Sequence, residues 1–156
     1  MTVNLHRRGG VGTIELNRPE TMNAWTREFS ADLLEAIGEC RDDEGIRAIC
    51  VTGSGRGFSS GADLREQGRD LTESGRPDVH KRLTEDYHPV ITGLRTMPKP
   101  VVAAVNGPAV GIGLSLALCA DLVVAKESAY FLLAFVNIGL VPDGGSSLFV
   151  PERVGF

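Results

Sequence analysis

Three carboxylates stand beside apolar, glycine-rich stretches of the chain: Asp63, Asp121 and Asp143. Asp143 lies in "VPDGG" (141–145), between Pro142 and two glycines and just after the apolar "IGLV". Partial loss of water there raises a carboxylate's pKa and makes it a proton acceptor near neutrality. The same residue could instead shape the turn or cap the helix that follows, and both roles stay open. Asp63 follows a glycine turn and can cap the short helix beginning there. Asp121, between "LALCA" and "LVVA", reads as a buried structural carboxylate satisfied by backbone amides. The histidines at 6, 80 and 88 fall in a terminus, a polar loop and a polar helix, and read as solvated side chains. Cys40, Cys50 and Cys119 follow no metal-ligand spacing and read as small core residues in a reducing compartment. No nucleophile elbow, zinc-ligand motif or phosphate-binding glycine fingerprint occurs.

Two glycine-rich turns follow two apolar strands. "GSGRGFSSGADL" (53–64) comes after "AICV", and "NGPAVGIG" (106–113) comes after "VVAAV". In one parallel sheet both turns fall at its carboxyl end, where open sheets bind ligands. Each turn can present backbone N–H groups, and two such donors are what an oxyanion requires. Two ordinary tight turns are the alternative.

The elements that must position these groups follow from periodicity. "VGTIEL" (11–16) is a strand, and 24–41 is a helix whose Phe29, Leu33, Leu34, Ile37 and Cys40 recur at three or four residues. "IRAICVTG" (46–53) is a buried strand, so the three make a β-α-β passage. Residues 65–80, with Gly68, Gly75 and Pro77, read as a mobile surface loop with a little helix. Helix 81–95 carries Pro89, which implies a break or kink. Strand 101–105, a helix over 111–119, strands at 121–126 and 130–135, and a helix from Ser146 or Ser147 complete the order. The class is α/β, with parallel crossovers and apolar strands covered on both faces. Residues 1–156 form one domain whose abrupt end after one apolar helical turn suggests an incomplete C-terminus.

Composition narrows the function. Hydrophobic residues make up 42% and charged residues 23%, which excludes a disordered chain. The formal net charge of -4 carries no bulk basic signal for nucleic acid. There is no secretory signal and no apolar run long enough for a membrane span, so a soluble intracellular protein is expected.

Four motifs, "NRPETMNA" (17–24), "VTGSGRGFSSGADL" (51–64), "KPVVAAVNGPAVGIGLSLALCADLVVA" (99–125) and "IGLVPDGGSS" (138–147), carry a resemblance. In that order and at those separations, the chain resembles the enoyl-CoA hydratase/isomerase superfamily, the crotonase fold. The resemblance implies a spiral of ββα units lacking the family's C-terminal helices. It also implies a cytoplasmic enzyme of fatty-acid metabolism, and a homotrimer or hexamer at full length. The substrate is an acyl-CoA whose CoA is part of the thioester, with no tightly bound cofactor, no metal, no nucleic acid and no membrane span. By position, the amides of Ala62 and Ile112 are the oxyanion donors. Ile112 stands where a glycine is common and adds bulk. Ser60, Ala62, Asp63 and Leu64 line the adenine and pantetheine side, with Met22 and Ala24 beside the same ligand. Ser115 and Phe135 occupy the places of the two hydratase glutamates, and Asp143 falls where one branch of the family's isomerases has its single carboxylate. The leading expectation is isomerisation of a 3-enoyl-CoA to a 2-enoyl-CoA. Hydration of a 2-enoyl-CoA, which is lyase chemistry, and a non-catalytic CoA-binding fragment are the alternatives.

Overall fold

The computed structural model describes residues 1–66 and 70–156. Five strands form the main sheet: β1 (Val3–Arg8), β2 (Val11–Leu16), β3 (Ala48–Gly53), β4 (Val101–Val105) and β6 (Leu122–Ala125), in the order β1-β2-β3-β4-β6. β1 runs antiparallel to β2, and the other neighbours are parallel. A second, two-stranded parallel sheet pairs β5 (Ala109–Val110) with β7 (Phe131–Leu132). The expected α/β class and parallel crossovers are therefore present.

Strand alternation decides which residues form the core. Ile14, Leu16, Ile49, Val51, Val101, Ala103 and Val105 are buried at every second position. They meet the apolar stripe of α1 (Arg27–Asp42), made by Phe29, Leu33, Ala36, Ile37 and Cys40. Thr26 starts α1 by accepting a hydrogen bond from the Phe29 N–H at 3.2 Å. The helix does not reach back to Ala24, because the Trp25 backbone pairs with Gly61 and Asp63 instead.

The segment expected to break at Pro89 stays helical. It runs as α2 (Val79–Arg82), one π turn (Leu83–Tyr87) and α3 (His88–Arg95). The His88 N–H donates to Leu83 O, five residues back, and this wide turn accommodates the proline that follows. Of the polar 65–80 segment, residues 67–69, Gly68 among them, lie outside the described residues. Asp78 caps α2 through the Lys81 N–H.

Three further expectations change. β1 is an additional strand, with few apolar residues but tied across to β2 by Asn4 and His6, both bonded to Glu15. The strand expected at 130–135 shortens to β7, and Phe135–Ile138 winds into a 3-10 turn. Covering on both faces fails at β6, where Leu122 and Val124 are 62% and 63% exposed. No described element packs over them.

One buried side chain joins the chain's early turn to the first glycine turn. The Asn23 carboxamide N–H groups lie 3.0–3.1 Å from the carbonyls of Ser54, Gly57 and Phe58. Its carbonyl oxygen accepts the Arg18 N–H at 2.8 Å. Asn23 holds φ +55°, a left-handed conformation that asparagine tolerates better than most residues. Asn23→Ala strands these buried groups and should cost about 3 kcal/mol of unfolding free energy, read by urea denaturation.

Candidate active site

The two glycine turns are joined backbone to backbone. Phe58 and Ser59 both donate to the Pro108 carbonyl at 3.0 Å, and Val110 N–H donates to Ser59 O at 2.9 Å. Gly61, at φ +87°, sits so close that a Cβ there would lie 2.7 Å from the Val110 carbonyl oxygen. No other residue fits both the conformation and the space.

This contact sets the Ala62 amide. Gly61 O accepts from Trp25 N at 2.8 Å, and Asp63 N donates to Trp25 O at 2.9 Å. Alternation along the extended segment then turns the intervening Ala62 N–H away from Trp25. Ile112 is the first residue of α4 (Ile112–Leu118), so its N–H has no acceptor within the helix. Both residues line one cavity of about 780 Å³. The Ile112 side chain is 2% exposed and packs in the core, so the bulk expected at this position is taken up there.

Asp143 lines the same cavity. Its main-chain carbonyl is clamped by Ser146 N–H at 3.0 Å, Ser146 Oγ–H at 2.8 Å and Ser115 Oγ–H at 3.0 Å. Gly144, at φ +56°, passes so tightly that a Cβ would lie 2.5 Å from Ile112 Cδ1 and 2.8 Å from Ser115 Cβ. The turn is therefore tightly held, while one oxygen of the carboxylate it carries is not. Asp143 Oδ1 is buried and has no hydrogen-bond partner among the described residues. Burial pushes its pKa up to about 6. The capping alternative fails, because α5 (Ser146–Val154) begins at Gly145 with no side-chain cap.

Of the expected site residues, Ser60, Ala62, Leu64, Ile112, Phe135 and Asp143 line the cavity. Met22, Ala24 and Asp63 do not. Met22 packs over Gly57, Ala24 is buried, and Asp63 is held by Arg18 at 3.4 Å and Arg65 at 2.7 Å. The Arg65 guanidinium keeps the Asp63 carboxyl far below the usual carboxylate range. Asp63 does accept the Arg65 N–H at 3.1 Å, capping the 3-10 turn Leu64–Glu66. Asp121 accepts the Val101 N–H at 2.8 Å, as expected of a structural carboxylate, but it is exposed because β6 is uncovered. Tyr87 and Arg82 also line the cavity. Sequence reasoning passed over both, and the helical period placing Tyr87 on the buried side was the one available signal.

The chain matches the family model for enoyl-CoA hydratase/isomerase over residues 6–156 and belongs to that family. It is 41% identical over 150 residues to 1,2-epoxyphenylacetyl-CoA isomerase of Escherichia coli, covering 96% of the chain and 57% of that protein. It is 38% identical over 155 residues to 4-chlorobenzoyl coenzyme A dehalogenase-2 of an Arthrobacter species, covering 99% and 55%. A crystal structure of an enoyl-CoA hydratase from Mycobacterium avium subsp. paratuberculosis superposes with a TM-score of 0.84 at 35% identity, covering 100% of the chain and 57% of that protein. The chain thus spans a little over half the length of these relatives, within the crotonase fold. No helix among the described residues is long and apolar enough to cross a membrane.

The raised pKa of Asp143 has a stability consequence. A carboxyl that binds its proton more tightly when folded favours the native state at low pH and loses that advantage as pH rises from about 4 through about 6. Asp143→Asn removes the uncompensated charge, so at pH 7 it should match or exceed the wild type by on the order of 1 kcal/mol. That gain should vanish at pH 4.5, as measured by denaturant titration at both values.

Proposed function

We propose that this chain carries the reacting centre of an isomerase that moves the double bond of a 3-enoyl-CoA into conjugation with its thioester. The carrying observation is Asp143, whose buried Oδ1 has no partner among the described residues, in the same cavity as Ala62 and Ile112. The thioester oxygen accepts from the Ala62 and Ile112 N–H groups. Those donors favour negative charge on that oxygen and so acidify the C2 proton. Asp143 takes the proton, and the C–H electron pair moves into a dienolate. The double bond re-forms between C2 and C3 as the carboxyl returns the proton at C4. A carboxylate near pKa 6 suits both halves of the transfer at neutral pH.

The other positions support one carboxylate rather than two. Ser115 spends its hydroxyl on the Asp143 carbonyl, and Phe135 is a buried apolar wall. Neither activates water. One relative is an isomerase of a CoA ester, the same broad reaction class. In this reading CoA enters only as part of the substrate. The apolar surface of Leu122, Val124, Val136 and Val141 is assigned to self-association as a homotrimer or hexamer, read by sedimentation.

Asp143→Asn should lower kcat for 3-enoyl-CoA isomerisation by about 100-fold or more while CoA-ester affinity persists. Ultraviolet absorbance of the conjugated product follows the reaction. Retained turnover in a folded variant defeats the assignment, and efficient hydration of a 2-enoyl-CoA by the wild type moves it to hydratase. Ala62→Pro deletes one oxyanion donor and should cost on the order of 3 kcal/mol in kcat/KM, provided circular dichroism shows the fold intact.

A further inference from the structure

The cavity holds a second polar station that the proton transfer leaves unused. Tyr87 ends the π turn, is 4% exposed, and has its ring fixed edge-on to Trp25 at 5.3 Å between centroids. Its hydroxyl oxygen accepts from Arg82 Nε at 2.8 Å, and Arg82 Nη2 reaches Trp25 O at 3.4 Å. The phenol proton is therefore directed away from Arg82, and no acceptor for it occurs among the described residues. Arg82 has no ion-pair partner among them either. Glu66, Asp70 and Asp86 border the recess beside it; Asp70 and Asp86 are engaged by Arg27 and Lys81, and Glu66 accepts the Arg27 N–H.

Both residues face the cavity that Asp143 faces. Burial pushes the Tyr87 pKa up to about 12, and the nearby Asp143 charge acts in the same direction, so the phenol remains a donor at neutral pH. The station thus offers a phenol O–H and guanidinium N–H groups to a cavity whose wall also carries Glu66, Asp70, Asp78 and Asp143. A purely hydrocarbon acyl chain leaves these donors unmatched in a partly dry wall, at a cost.

We infer that Tyr87 and Arg82 form a recognition site for an acceptor oxygen on the acyl group, selecting a keto- or carboxylate-bearing acyl-CoA over a plain hydrocarbon one. The proposal deepens the isomerase reading and rests on it for the seating of the thioester. Phenylalanine at 87 keeps the ring on Trp25 and removes only the donor.

The test is calorimetric binding of three matched six-carbon thioesters that carry no double bond to isomerise: hexanoyl-CoA, 5-oxohexanoyl-CoA and adipoyl-CoA. The wild type should bind at least one oxygen-bearing ester about tenfold more tightly than hexanoyl-CoA. Tyr87→Phe should bring that ratio to within about twofold. A larger effect on the ketone identifies a neutral oxygen, and a larger effect on adipoyl-CoA identifies a carboxylate. Arg82→Gln reads the same ratio and keeps the test open if Tyr87→Phe unfolds. No preference in the wild type, or a preference unchanged by the substitutions, overturns the inference. Isomerisation of 3-hexenoyl-CoA by the wild type is followed separately. Its absence alongside a retained preference removes the isomerase reading alone, and its presence without a preference removes this inference alone.

Discussion

Around the carboxamide of Asn23 the chain crosses itself, and the candidate site is built outward from that crossing. Its N–H groups hold the carbonyls of the first glycine turn, and its own backbone carbonyl accepts Ser59 Oγ–H at 2.9 Å. Ser59 then pairs with Ala109, which brings the second glycine turn against the first. Each step is a buried hydrogen bond between segments far apart in sequence, and a missing one leaves a desolvated polar group behind. The placement of the Ala62 amide beside Gly111 and Ile112 depends on every link in that series.

Asp143 shows the opposite treatment of polarity. The fold satisfies its main chain with three donors and leaves a side-chain oxygen with none. The clamp fixes the backbone that carries the carboxylate. Such an arrangement is a compromise that lowers stability locally and raises proton affinity. Ser115 and Gly144 are part of the same compromise. They pack so closely that a Cβ at position 144 would lie 2.8 Å from Ser115 Cβ.

The π turn extends this organisation to the far side of the cavity. By widening one helical turn ahead of Pro89, it keeps a single helical segment continuous from Val79 to Arg95. It also ends on Asp86 and Tyr87, both buried. The helix thus supplies packing against α1 on one side and a polar cavity wall on the other. The local distortion is what lets one element do both.

Much of this was legible in the residues themselves. The alternation of "VGTIEL" and "VVAAV", the three-and-four spacing from Phe29 to Cys40, and the glycines after two apolar strands identify the central elements and the edge where the cavity opens. These are local patterns, set by side-chain direction and backbone freedom within a few residues. The partial dehydration of Asp143 was legible too, since apolar neighbours and a proline surround it in sequence. Tertiary structure decided the rest. β1 exists as a strand because β2 pairs with it, though its own residues are largely polar. β5 and β7 are two residues each and have meaning only as partners. Met22, Ala24 and Asp63 sit off the cavity because packing and the Arg18 and Arg65 contacts hold them there. Asn23, Arg82 and Tyr87 gain their roles from contacts 5 to 57 residues away in the chain. Asp143 does not cap α5, which starts after Gly145 with no side-chain cap, and its main-chain carbonyl is held by Ser115, 28 residues earlier. No local period encodes such a distance, because these contacts form only once the sheet has brought the segments together.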